Sequence, residues 1–206
     1  MKNYFNEDLL EAGIDEVARG CLAGPVFSAA VIWPKECELI ENTPILKDSK
    51  KLSKRQRLIC KDYIEENALD YSVSQSDNKL IDKINILNAT YKTMHKAIDN
   101  LNIDVDFLLI DGNKFEPYMN NNSEIIPHLC IVKGDDKYTP ICCASILAKV
   151  YHDEYIEKIC DEEPELNIYD WKSNMCYGTQ THIEAIKKNG LTKYHRRTFG
   201  ICKDYI

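Results

Sequence analysis

Residues 12 to 25 read AGIDEVARGCLAGP. An acidic pair, Asp15 and Glu16, closes a small apolar run, and Arg19 follows at once between the small residues Ala18 and Gly20. Gly13, Gly20 and Gly24 mark places of close backbone approach or positive φ. Two neighbouring carboxylates beside exposed backbone N–H groups suit divalent-metal chemistry on a phosphate, because hard cations such as magnesium take oxygen ligands and keep open positions. Two carboxylates are too few for a pair of metals. A regular strand also points Asp15 and Glu16 to opposite faces, so one of them is expected at a strand end or bulge. Alone, the stretch fits a catalytic acidic edge and a decorated β-hairpin equally well.

The rest of the chain narrows the choice. With 206 residues, 44% hydrophobic and 29% charged, it has the make-up of a globular core, and no linker separates two cores, so one domain over 1–206 is expected. No apolar run approaches 18 residues and the opening MKNYFNEDLLEAG has no apolar core, which predicts neither a membrane span nor a signal peptide and places the protein in the cytoplasm. Nine cysteines show no CxxC pair, and five histidines show no zinc spacing, so the cysteines read as reduced small hydrophobes. A net charge of -7 excludes a general polyanion-coating surface. Local basic segments remain: Lys47 to Arg57 holds six Lys/Arg against one Asp, and KYHRR ends at Arg197. For Arg196 and Arg197 two readings stand, a solvated cluster and a phosphate clamp.

The order of elements follows from pattern and punctuation. Residues 24 to 34 form a second apolar strand closed by Pro34, and a polar connection runs over 35–48. Ser53 and Gln56 make a capping box for a helix to about Asn67, with Lys50 and Lys51 just ahead of its start. A short strand over 70–76 precedes one helix whose stripe is Ile84, Leu87, Tyr91, Met94, Ile98 and Leu101. Phe107 to Ile110 is a strand ending in Asp111-Gly112-Asn113, and His128 to Val132 is another ending in Lys133-Gly134-Asp135-Asp136. Thr139 and Pro140 fit the N-cap and first position of a long helix, which carries Lys149 off its apolar stripe. A loop over 167–181 and a last helix over 182–189 follow. Three apolar strands therefore end in an acid near glycine. Sites in α/β sheets collect at the carboxyl ends of strands. Converging there, Asp15, Glu16, Asp111 and Asp135 supply the four carboxylates that a pair of cations about 3.5 to 4 Å apart needs for phosphodiester hydrolysis.

Seven motifs in this order, GIDEVARGCLAGP, DSKKLS, IDGN, VKGD, ASILAKV, CYGT and HRRTF, resemble ribonuclease HII, the type 2 ribonuclease H, over Gly13 to about Lys203. The resemblance implies an α/β ribonuclease H-like fold: a central mixed β-sheet flanked by helices, with a helical extension over about 160–206. It implies an endonuclease using Mg2+ or Mn2+, two ions in the active complex, on RNA/DNA hybrids and on single ribonucleotides in duplex DNA, leaving 3′-hydroxyl and 5′-phosphate ends. A monomer with no membrane association is expected. The family's metal acids fall on Asp15, Glu16, Asp111 and Asp135. Its backbone loop against the ribose 2′-hydroxyl falls on Ala18, Arg19 and Gly20, its junction-sensing tyrosine on Tyr177, and its phosphate contacts on Asp48, Ser49 and Lys50. Asn113, Lys149 and Arg196 are further candidate substrate contacts.

Three positions depart from the family's pattern. Ala18 and Cys176 stand where glycine is usual, and His152 where arginine is common. A positive φ at Ala18 would strain the loop by about 1 kcal/mol or more. Two alternatives are the type 3 relative, which handles junctions poorly and typically carries an extra N-terminal substrate-binding domain, and a catalytically silent hybrid-binding module of the same fold. All four acids are present, against the silent module, and about a dozen residues precede Gly13, against the type 3 relative.

Overall fold

The computed structural model describes residues 1–36, 44 and 46–205. Cys37 and most of the connection expected over 35–48 lie outside the described residues. The core is a mixed five-stranded sheet in the order β3-β2-β1-β4-β5, with β1 at Glu11–Val17, β2 at Val26–Ile32, β3 at Asp70–Ser76, β4 at Phe107–Asp111 and β5 at His128–Ile131. β2 runs antiparallel to both its neighbours, whereas β4 is parallel to β1 and to β5.

The side-chain alternation of strands decides which helix covers which face. In β2, Ala29, Val31 and Trp33 just beyond it pack on helices α1 (Lys54–Asn67) and α4 (Thr139–Glu162). Ala30 and Ile32, one step out of phase, pack with Ala12, Ile14, Leu108 and Ile110 against α3 (Ile86–Asp99). The α4 backbone passes flush over β1. A Cβ on Gly13 would lie 2.2 Å from the Pro140 carbonyl carbon and 2.4 Å from the Ile141 nitrogen, so only glycine lets helix and strand meet.

Several expected boundaries hold and three shift. The Ser53 capping box is complete: Ser53 Oγ accepts from Gln56 N and Gln56 Oε1 accepts from Ser53 N. The single helix expected from Ile84 to Leu101 is two, α2 (Asn78–Ile84) and α3, broken at Asn85, whose φ of 64° interrupts the helix while its side chain caps α3 through Asn88 N. Thr139 is not the N-cap of α4. Tyr138 holds that place, and Thr139 is already helical, its hydroxyl bonded to Asn3 Oδ1. The stretch over 167–181 is not all loop: a 3₁₀ turn at Pro164–Tyr169 and α5 at Trp171–Asn174 lead to α6 at Gln180–Asn189, capped by Thr179 Oγ1. No disulfide joins the described cysteines. No described helix is long and apolar enough to cross a membrane.

Candidate active site

The carboxyl edge of the parallel pair β1 and β4 gathers the acids. Ile14 pairs with Ile110, so one step on Asp15 and Asp111 stand side by side on neighbouring strands. Both lie in phase with Gly13 and Leu109, on the face that α4 covers. β1 has no bulge: it stays paired with β2 out to Val17, and β4 stops at Asp111, so Glu16 is freed by the end of its neighbour. The third acid arrives from β5. After Ile131 the chain turns through Lys133, left-handed at φ 55°, into a 3₁₀ turn at Gly134–Asp136, and Gly134 N donates to Asp111 Oδ1 at 2.7 Å. A Cβ at Gly134 would lie 2.6 Å from Ile141 Cδ1 and 3.3 Å from Asp111 Oδ1, so any larger residue would have to push the Ile141 side chain aside. Asp135 thereby faces Asp111, while Asp136 turns outward to an ion pair with Lys51 at 2.8 Å.

The electrostatics show acids that share one field. Burial, then the charges of Glu16 and Asp111, push the Asp15 carboxyl well above the usual range, against a hydrogen bond from Ser145. Burial raises Glu16, opposed by Arg19, whose Nη1 donates to Glu16 Oε1 at 3.0 Å. Burial and Asp111 raise Asp135. Among the described residues no three acid, histidine or cysteine side chains close round one cation. Glu16 is held by Arg19 and Asp111 by Gly134 N, so the arrangement is an open set of hard oxygen donors. That set still fits magnesium or manganese, because a bound cation offsets both the burial and the like-charge repulsion that raise its proton affinities.

Ser145, on α4, is a site residue that periodicity did not single out. Its hydroxyl bonds Asp15 and lies 3.1 Å from Ser49 Oγ, linking the acid to the turn at Ser49–Lys51. Asp48 caps that turn by accepting from Lys50 N at 2.9 Å. Ser49 is buried with its hydroxyl on Ser145, so its side chain supports the turn. Lys50 is the exposed member of the three, and its charge reaches Asp135.

The expected ribose loop lies beside the acids. Ala18 is left-handed at φ 69° and buried, and Arg19 and Gly20 are exposed. Tyr177 closes over this loop: its ring carbon Cε1 is 3.8 Å from where a Gly20 Cβ would be, and its hydroxyl meets the Ala18 N–H and the Cys21 thiol. Burial and Cys21 push that phenol up to about 12, so it stays protonated as a donor. Met175 and Cys176, at φ 47° and 64°, carry the chain into Tyr177 through left-handed backbone.

The remaining candidates separate. Lys149 Nζ donates to Asp153 Oδ1 at 2.7 Å, in a cluster with Arg57 and His152. Asn113 is exposed in the bend after β4. Arg196 is fully buried, with its guanidinium on the carbonyls of Arg19, Gly24 and Pro25. Both readings offered for it are thereby corrected: it is neither solvated nor able to reach a phosphate.

The family model described as Ribonuclease HII matches residues 12–202. The ribonuclease HII of Christiangramia forsetii is 48% identical over 206 residues, spanning 100% of this chain and 98% of its own. That of Bacteroides fragilis is 47% identical over 201 residues, with 98% and 94% covered. Among solved structures, the ribonuclease H2 from Pyrococcus horikoshii OT3 superposes with a TM-score of 0.73 at 23% identity, over 95% of this chain and 96% of that one. A ribonuclease HIII, Bst-RNase HIII in complex with Mn2+, reaches 0.64 at 19% identity, over 96% of this chain and 69% of its own. The two structures share the fold.

Proposed function

This chain belongs to the ribonuclease HII family and is a ribonuclease H, a hydrolase acting on RNA/DNA hybrids; from that premise we propose that it also cuts 5′ of single ribonucleotides embedded in duplex DNA, leaving 3′-hydroxyl and 5′-phosphate ends. The observation that carries this proposal is the meeting of Tyr177 with the loop at Ala18–Gly20, next to the acids at the end of β1. A 2′-hydroxyl both donates and accepts, so loop amides and carbonyls together with a protonated phenol distinguish ribose from deoxyribose at one position.

Asp15, Glu16, Asp111 and Asp135 would hold two divalent cations, which supply Lewis acidity and an activated water to the reaction. Asp111 is held by Gly134 N, and Asp15 by Ser145, so each carboxylate has a fixed second partner. Arg19 holds Glu16 until substrate or cation draws it away. Lys50, at the end of the turn capped by Asp48, offers a charge to the substrate backbone. Within the same proposal the chain works as a monomer.

The experiment compares a duplex bearing one ribonucleotide, a uniform RNA/DNA hybrid and an all-DNA control, with Mg2+ and with Mn2+. Asp111→Asn should abolish cleavage of both ribose-containing substrates while circular dichroism shows the fold intact. Tyr177→Ala should lose more activity on the single ribonucleotide than on the hybrid. Equal losses would remove Tyr177 from junction recognition, and full activity of Asp111→Asn would remove Asp111 from the chemistry.

A further inference from the structure

Two buried polar groups, adjacent in sequence, back the two halves of the recognition element. Arg196 is one. Its Nε donates to Gly24 O at 2.9 Å, its Nη1 to Arg19 O at 3.0 Å and its Nη2 to Pro25 O at 3.1 Å, and its guanidinium lies 5.1 Å from the Phe199 ring centre. It is fully buried, and no carboxylate pairs with it among the described residues. A buried cation without a counter-ion is costly, so the three carbonyls that share its charge are held firmly.

His195 is the other, acting through His182. The Tyr177 carbonyl can only accept, so His182 Nδ1, 3.0 Å away, carries the proton. His182 Nε2 then accepts from Trp171 Nε1–H at 3.0 Å and from His195 Nε2, 3.2 Å away. The Thr192 N–H can only donate, so His195 Nδ1 accepts it at 2.9 Å and His195 Nε2 is left to donate. Both rings are buried and neutral in this network. Burial lowers the proton affinity of each, and the neighbouring His182 lowers that of His195 further because the two rings cannot both take a proton. No carboxylate bonds either ring among the described residues; next to His195 in sequence, Tyr194 donates to Glu163, which also pairs with Lys193. The strip between the two halves is laced to both, with Leu22 N on Cys176 O, Arg196 N on Leu22 O and Gly24 N on Tyr194 O.

We propose that Arg196 and the His195–His182 pair are positioning residues for ribonucleotide specificity: a two-armed brace that fixes the Ala18–Gly20 loop with one arm and the Tyr177 backbone with the other. The brace sets how the Tyr177 hydroxyl and the loop backbone are presented together to one ribose. It acts through other residues and touches no reacting atom. The proposal rests on Tyr177 and the loop being the single-ribonucleotide recognition element.

The test measures kcat and KM on the single-ribonucleotide duplex and on the uniform hybrid, with thermal unfolding of each variant. Lysine offers a point charge in place of the planar fork and cannot serve three carbonyls, so Arg196→Lys should lower kcat/KM on the single ribonucleotide about tenfold or more and on the hybrid at most about threefold. His182→Ala should do the same. In His182→Asn the amide nitrogen replaces Nδ1–H toward Tyr177 O, and most of the discrimination should return. A purely structural role would not separate Asn from Ala in this way. Parallel losses on both substrates, or an unchanged ratio in all three variants, would overturn the brace. Tyr177→Ala is the reference: if it shifts the substrate ratio and the brace variants do not, the brace alone falls. If Tyr177→Ala leaves the ratio unchanged, the recognition reading fails and takes the brace with it. Should Arg196→Lys not fold, the His182 pair decides.

Discussion

Asp15 is buried among like charges, and its proton affinity is raised by burial first and by Glu16 and Asp111 next. A carboxyl raised in the folded state favours folding while it is protonated, below its unfolded value of about 3.9, and that contribution is lost as pH rises through the folded value. Above the unfolded value the raised carboxyl therefore weighs against the metal-free fold. Asp15→Asn should raise the thermal midpoint without divalent ions and abolish cleavage. Added Mg2+ should stabilise the wild type more than the variant, and a lower midpoint in the variant would refute the account. Ala18 poses a different balance. Its left-handed φ costs about 1 to 2 kcal/mol, yet glycine there would lose a buried methyl worth about 0.8 kcal/mol and about 0.5 to 1 kcal/mol of chain entropy. Ala18→Gly should therefore leave unfolding free energy, measured in urea, within about 1 kcal/mol of wild type. The departure from glycine is compensated by the core beneath it.

Gly13 sets how closely α4 approaches β1, and through that contact where Ser145 meets Asp15. The obstacle to a Cβ there is Pro140 and Ile141 backbone, which cannot rotate away. Gly13→Ala should cost about 3 kcal/mol, the upper end of overpacking, in chemical denaturation, and should lower cleavage in step as α4 lifts from the strand. Elements with strong local signals were legible in the sequence. The apolar runs of β1, β2, β4 and β5 and the Ser53 box stand where pattern put them, and the strand-end acids fall at one edge. Pattern could not show the break at Asn85, because an asparagine at positive φ leaves the apolar stripe running on unbroken. It could not show Ser145 either, since a serine facing an acid looks like any small residue in a helix. Arg196 misled because a charged pair near a chain end reads as solvated, and its three carbonyl partners lie 171 to 177 residues away.

The segment beyond about residue 160 belongs to the core beneath the Ala18–Gly20 loop. Trp171, Tyr169, Cys176 and Ile186 pack with Ala18, Cys21 and Leu22, and we propose that the chain is one catalytic domain on that account. The histidines of this segment give stability a pH dependence. Burial lowers His182, and lowers His195 to about 3, so the unfolded chain binds protons first. Their contribution is complete above about 6.5 and is lost as pH falls toward 3. Between pH 7 and pH 5 the urea midpoint of wild type should fall further than that of His195→Gln, and equal slopes would show the pair to be silent. The carbonyl grip of Arg196 has a temporal consequence as well. Residues 19 to 25 take their final shape from a guanidinium that is translated more than 170 residues after them. The growing polypeptide therefore carries this loop unset until that guanidinium has been made, and on the function proposed above a fragment lacking it would discriminate poorly between ribose and deoxyribose.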